Sequence, residues 1–471
     1  MLRGARYNRR VIAQPGLPAG PEGRPILSMI RWLRSPLPML EDLTARYGAA
    51  FSLKIPRLPQ PMVFFSDPAA IRQIWAGDPD VFHAGEANEI LRSVLGGGSL
   101  LLLDGDRHLR ERRMMLPPFH GDRMKAYGIA MRDAAAREIA TWATGQPFPV
   151  HPGMQNITLE VILRTIFGVG DEVRLAPLRE ALVRWTTIGT SPINTAMLLL
   201  TPPEHAPRIQ RMAERGLGRL LPWASLVRAM NDTDRVVRDL ITARRREGTA
   251  GREDVLSMLI DARDEHGAPM TDDELRDEML TLLIAGHETT ATTLAWALHH
   301  LVEHPAWRAK LVAEVDEVTG GAPLQPEQVE KLVLVDAALK ETLRLTPIIP
   351  IVARRLTRPT AIGGFALPAG AIAAAAIYLV HRRADLWPDP TRFDPSRFVG
   401  RKVDPTHYFP FGGGTRRCLG MAFANYEMKI VLATILSRLR VSAAPGARVK
   451  LVRRGITLAP SGGMPIVVTP R

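Results

Sequence analysis

The sequence predicts a mostly α-helical protein with a small β lobe, on three observations. Residues 122–260 repeat apolar side chains at three-to-four spacing, with breaks only at Pro147–Pro152 and Ser191–Pro207. One uninterrupted helical pattern runs from Thr271 to about His304, where Pro305 stops it. Alternating, turn-punctuated stretches are confined to residues 50–65, 351–380 and 440–471.

In chain order, residues 12–25 are rich in proline and glycine, so residues 1–25 read as an extended lead-in. A first helix is expected from Ile26 to Tyr47, then strands at Ala50–Ile55 and Met62–Phe65. Asp67-Pro68 opens a helix toward Trp75. Residues 83–104, with Gly96-Gly97-Gly98 and several leucines, read as a loop able to cover a cavity. On the helix that follows, His108 and Arg112 stand four apart and share a face. They could hold an anion, although such a pair alone is more often a solvated basic surface. The proline-rich break at Ser191–Pro207 could be a mobile lid or a plain connection.

The helix from Thr271 opens on a capping box, Thr271-Asp-Asp-Glu274. At 1.5 Å per residue it is ~50 Å long. Its middle reads Ala285-Gly-His-Glu-Thr-Thr290. A mid-helix glycine costs ~1 kcal/mol against alanine, and an acid and alcohols in an apolar centre need partners. Gly286, Thr289, Thr290 and Thr293 share a small-residue face. With the neighbouring acid Glu288, it could make room for a ligand and relay protons, or could simply pack tightly against another helix. A helix from Pro326 to Thr346 brings Glu341 and Arg344 to i,i+3. Strands over 351–380 and a proline-marked meander through Arg397 lead to Phe-Gly-Gly-Gly-Thr-Arg-Arg-Cys-Leu-Gly, residues 411–420. It holds Cys418, the only cysteine, ahead of a helix and beside two arginines. Both neighbours favour thiolate and suit a metal ligand.

Composition sets limits. The 471 residues are 46% hydrophobic and 23% charged, as in globular proteins. Without linkers or repeats, residues 26–471 are expected to form a single domain. One cysteine rules out a disulfide framework and suits a reducing cytoplasm. The net charge of +13 admits an anionic membrane surface or an acidic protein partner. The basic residues are scattered and not interleaved with aromatics, which argues against nucleic acid. The basic N-terminus is followed by no long apolar run, so neither a signal peptide nor a membrane span is expected.

Taken together the motifs resemble the cytochrome P450 family. Phe411, Gly414, Cys418 and Gly420 match its haem-binding signature, Glu341 and Arg344 its Glu-x-x-Arg, and Ala285–Thr290 its oxygen-activating segment. His108 and Arg112 are similar to its aromatic/His-x-x-x-Arg element, and Phe393–Phe398 to its meander. The resemblance implies haem b between the long central helix and the helix after the cysteine loop, with Cys418 as axial ligand of the iron. It implies propionate contacts from His108, Arg112, Arg354 and Arg416, shielding of the sulfur by Phe411, and a buried network of Glu341, Arg344 and Arg397. Gly286 would leave space for dioxygen, Thr289 would hydrogen-bond the oxygen being reduced, and Glu288 would supply protons through water. His108 stands where many members have tryptophan, Glu288 where many have aspartate, and Ser396 where many have an acid before Arg397. The complete acid–alcohol pair is similar to the monooxygenases rather than to the rearranging or peroxide-using branches. The implied enzyme hydroxylates or epoxidises an apolar terpenoid, fatty acid, steroid or polyketide-like compound. It would be a cytoplasmic monomer of the soluble bacterial type. A ferredoxin or flavodoxin and its reductase would bring electrons from NAD(P)H, docking near Arg113, Arg416, Arg417 and Lys429. The pocket would be lined by residues 84–101, 185–200, Ala285–Thr293 and Ile348–Val352.

Overall fold

Prolines cut the beginning of the chain into pieces. In the computed structural model the helix expected over Ile26–Tyr47 is two, α1 (Pro25–Arg34) and α2 (Pro36–Tyr47). Ser35 between them leaves the helical region at φ −151° and ψ 68°, because the following proline disfavours helical backbone there. The structure describes residues 16–56, 58–119, 121, 123–168, 172–189, 212, 222–454 and 457–471. The first 15 residues of the lead-in, and the Ser191–Pro207 break, lie outside them.

The described chain forms two units. The first comprises the chain up to Asn88, Ile349–Arg392 and Lys402–Cys418. Its sheet runs Ala50–Leu53, Met62–Phe65, Ile372–Ala375, Val352–Leu356, Phe82–His83. Met62–Phe65 pairs with Ala50–Leu53 antiparallel and with Ile372–Ala375 parallel, Met62 opposite Ile372. Helix α3 (Pro68–Ala76) packs against this sheet, and Asp67 caps it by accepting from the Ala69 and Ala70 amides at 3.0 and 3.1 Å. Phe65, Ile71, Ile74, Ala373 and Phe409 fill the core here.

The second unit comprises Glu89–Ile348, Phe393–Arg401 and Leu419–Arg471. Its described helices include α4 (Gly105–Met115), α5 (Arg123–Ile139), α6 (Val150–Thr165), α7 (Glu172–Gly189) and α8 (Pro222–Glu247). They also include α9 (Asp272–Glu303), α10 (Pro305–Thr319), α11 (Val333–Leu345) and α12 (Met421–Arg438). The central one is α9, 32 residues long, packed on α6, α8, α11 and α12. The capping box forms: Thr271 Oγ1 accepts from the Glu274 amide at 3.2 Å and Glu274 accepts from the Thr271 amide at 2.8 Å.

The helix expected over Pro326–Thr346 is split. A 3-10 segment, Pro326–Lys331, precedes α11. Glu314 of α10 accepts from the Leu334 and Val335 amides at 2.7 and 2.9 Å, capping α11 from outside its own sequence. Residues 84–95 are also more regular than a loop, forming short helical turns. Gly98 N–H donates to Asp277 at 2.7 Å, and Ser99 and Thr281 share a hydroxyl bond of the same length, fastening the glycine run to α9.

Candidate active site

The cysteine loop is shaped by what lies beneath it. Gly414 has φ +65°, and a Cβ there would lie 2.5 Å from the Trp75 carbonyl oxygen. A Cβ on Gly413 would lie as close to the Trp75 indole nitrogen. These glycines therefore let the loop rest directly on Trp75 of α3. The Cys418 amide donates to the Phe411 carbonyl at 2.9 Å and closes the loop. Cys418 is exposed and Phe411 half-buried. Gly420 then accepts from Ala424 N–H at 2.8 Å and starts α12. Unlike the loop glycines, Gly420 has an ordinary negative φ, and no protein atom comes within 4 Å of where its Cβ would sit.

The candidate cations have distinct environments. His108 and Arg354 are buried, and Arg112 and Arg416 half-buried. The α4 pair is therefore not a solvated basic surface. The Arg354 guanidinium sits 5.6 Å over the Trp75 ring and donates to Ala353 O at 2.8 Å. One of the four expected docking cations is corrected: Lys429 is buried against Glu330 at 3.1 Å, so it does not present its charge to a partner. Arg113 is exposed and pairs with exposed Glu265 at 2.8 Å. Arg417 is exposed.

In α9, buried residues such as Leu280, Leu283, Ala291 and Leu294 surround one open stripe. Ala285 is exposed and Gly286 and Thr289 are half-buried in mid-helix. Thr289 Oγ1 donates to Ala285 O at 2.6 Å. The absent Cβ of Gly286 would lie 3.1 Å from Ile162 Cδ1, so this glycine brings α9 and α6 together.

Glu288 lies one residue before Thr289, on the adjoining face, and is buried. Gln155 Nε2 donates to its Oε2 at 2.6 Å, Arg454 Nε stands 3.4 Å from its Oε1, and His151 Nε2 stands 3.9 Å from the same oxygen. Burial raises this carboxyl above its ordinary value, while Arg454, Gln155 and Thr292 oppose the rise. Burial also pushes His151 down to about 3 and His287 to about 4, so both are neutral near pH 7. His151 meets Thr292 at 3.1 Å, and Thr158 Oγ1 meets His287 Nδ1 at 3.0 Å. A polar seam thus runs between α6 and α9. Gln155, His151 and Arg454 were not singled out from sequence, because nothing local marks them.

Glu341 and Arg344 have no exposed side-chain surface. Arg344 Nε and a terminal nitrogen donate to the two Glu341 oxygens at 2.6 and 2.8 Å, a bidentate pair. Arg397 stands 3.3 Å from Glu341, and the Asp394 amide donates to it at 2.8 Å. The meander is also held by Phe393, stacked on His300 of α9 at 4.9 Å.

A lone exposed cysteine in a glycine-shaped loop ahead of a helix suits a thiolate ligand. The cytochrome P450 sequence profile matches residues 18–467, and the chain belongs to that family as a P450 monooxygenase. It is 43% identical over 456 residues to cytochrome P450 135B1 of Mycobacterium tuberculosis, covering 96% of this chain and 91% of that one. Cytochrome P450 138 of the same organism is 36% identical over 457 residues, covering 97% of each. Among solved structures, the retinoic acid-bound cyanobacterial CYP120A1 has a TM-score of 0.82 at 23% identity, covering 97% of this chain and 100% of that one. The cytochrome P450DA heme domain has 0.79 at 26%, covering 98% of each. The family implies a haem-thiolate cofactor and redox partners. The residues present fit the haem: Cys418 offers an exposed sulfur, and no protein packing explains the glycine at 420. No described helix is long and apolar enough to cross a membrane.

Proposed function

We propose that this monooxygenase hydroxylates or epoxidises an apolar small molecule of the terpenoid, fatty acid, steroid or polyketide class. Haem b, when bound through a cysteine thiolate, would supply the activation of dioxygen. Cys418 would hold the haem iron, and Arg416, Arg417 and the start of α12 favour its thiolate form. His108, Arg112, Arg354 and Arg416 would hold the propionates by charge-assisted hydrogen bonds. Phe411 would keep water from the sulfur, and Gly420 would admit the macrocycle close to the backbone, while Gly414 keeps the loop on Trp75. Glu341, Arg344 and Arg397 are structural.

Thr289 can turn its hydroxyl from Ala285 O toward the open stripe and donate there. Glu288 exchanges protons between that stripe and water near Arg454, which is partly exposed. Gly286 leaves the stripe free of side-chain volume beside Thr289 as well as packing on Ile162. Electrons come from NAD(P)H through a ferredoxin or flavodoxin and its reductase, and the enzyme works as a cytoplasmic monomer.

The observation that carries this reading is the position of Cys418, exposed in a glycine loop at the head of α12. The reduced, CO-bound protein is expected to show the red-shifted band of a thiolate haem, and Cys418→Ala to lose it. Retention of the band in that variant overturns the assignment. Thr289→Ala is expected to consume reductant without matching product, measured as the ratio of the two. An unchanged ratio removes Thr289 from proton delivery.

A further inference from the structure

Helix α1 carries an apolar face that the haem chemistry does not use. Ile26, Leu27 and Ile30 are 42%, 52% and 39% exposed. Leu27 is the most exposed large hydrophobic side chain among the described residues, and the others outside α1 are separated along the sequence. Their spacing of three and four puts them on one side of the helix. Half-buried Leu33 continues the stripe.

The opposite side of α1 is already occupied. Ser28 is buried, Trp32 lies 6.3 Å from Phe64, and Arg31 donates to Asp42 at 3.0 Å. The helix is therefore fixed to the sheet of the first unit with its apolar stripe outward. Exposed arginines stand at both ends, Arg24 and Arg34. The first 34 residues contain seven arginines and one acid, Glu22, giving +6 of the chain's +13.

A surface matching these features must be apolar and anionic within a few ångströms. Nucleic acid offers no apolar layer for three aliphatic side chains. An anionic bilayer offers acyl chains directly beneath phosphates. We propose that α1 lies in the plane of an anionic lipid surface, with Ile26, Leu27 and Ile30 among the acyl chains and Arg24 and Arg34 among the headgroups. At ten residues α1 is too short to span a bilayer, so contact is peripheral and reversible. It would hold the enzyme where apolar compounds dissolve; that consequence rests on the substrate class proposed above, but the contact itself does not.

The test uses the full-length, haem-loaded protein, sedimented with vesicles of phosphatidylglycerol and phosphatidylcholine in equal parts, or of phosphatidylcholine alone. Wild type is expected to sediment with the anionic vesicles and about 25-fold less, or lower still, with the neutral ones. Ile26→Asp/Leu27→Asp/Ile30→Asp is expected to lose about tenfold or more in partition. Arg24→Ala/Arg34→Ala is expected to lose about fivefold per residue. Leu27→Ser, a milder surface change, serves if the triple variant does not fold, and an unchanged thiolate-haem CO band checks folding in each. The proposal is overturned if wild type stays in the supernatant, or if both Leu27→Ser and the triple variant sediment like wild type. It is also overturned if wild type forms a dimer that Leu27→Ser breaks, which would make the stripe a contact between copies. A protein that sediments yet oxidises no apolar compound would refute the substrate class and leave the lipid contact standing.

Discussion

The buried carboxyl of Glu288 is set between opposing influences, and the proposed proton delivery draws on both. Burial raises its carboxyl above the ordinary range, so it stays proton-loaded to a higher pH than a surface glutamate, and Arg454 opposes that rise. For a group raised in the folded state, the favourable contribution is present below the ordinary carboxylate value. It is lost as pH climbs through the raised one. Arg454→Gln removes the opposing cation. Coupled turnover, if it needs the protonated carboxyl, should then lose its rate at higher pH than wild type, and Arg454→Lys should restore the wild-type profile. Product formed per reductant across a pH series measures this, and superimposable profiles would separate Arg454 from the relay. Glu427 of α12 is a second case. It is fully buried, raised well above its ordinary value by burial, and has an unbonded Oε1. Its charged form opposes folding, so Glu427→Gln should raise the melting temperature at pH 8, with the difference closing toward pH 5.

At the scale of elements, the Glu341–Arg344 pair of α11 is fully buried with the meander gathered around it. Removing one partner leaves the other charge buried, which costs about 3–5 kcal/mol. Glu341→Ala should therefore shift the denaturant unfolding midpoint of the haem-loaded protein strongly downward, whereas Lys340→Ala, four residues from Asp336 at the surface, should shift it little. A midpoint unchanged in Glu341→Ala would contradict the buried pair. The contrast also explains what was legible in the sequence. Glu341 and Arg344 could be paired because they are three apart; their complete burial could not be read, since i,i+3 spacing is the same on a wet face. The ends of α9 were legible because Thr271 and Pro305 are local signals. The split before α11 was not, because its cap comes from Glu314, some 20 residues earlier. Likewise Gln155 reaches Glu288 across 133 residues, and Trp75 shapes a loop more than 300 positions on. Spacing reveals neighbours on one element; tertiary partners leave no such trace.

At the scale of the whole chain, the first unit is assembled from three separated stretches, and this has a consequence in time. The strand Met62–Phe65 is paired on one side by Ala50–Leu53 and on the other by Ile372–Ala375, with Met62 opposite Ile372. Those two residues are 372 − 62 = 310 positions apart. At about 5–20 residues per second, a ribosome takes roughly 15–60 s to supply the missing partner. For that interval the Met-Val-Phe-Phe strand is an apolar edge waiting for a neighbour. Slower synthesis lengthens the wait, so soluble yield should depend on holding chaperones, and a Phe64→Lys change made to blunt the nascent edge would damage the core it later joins. Comparing soluble fractions with and without chaperone co-expression checks this. Cys418 is made later still, after both of those strands, so the chain can take up its haem only once nearly all of it has been synthesised.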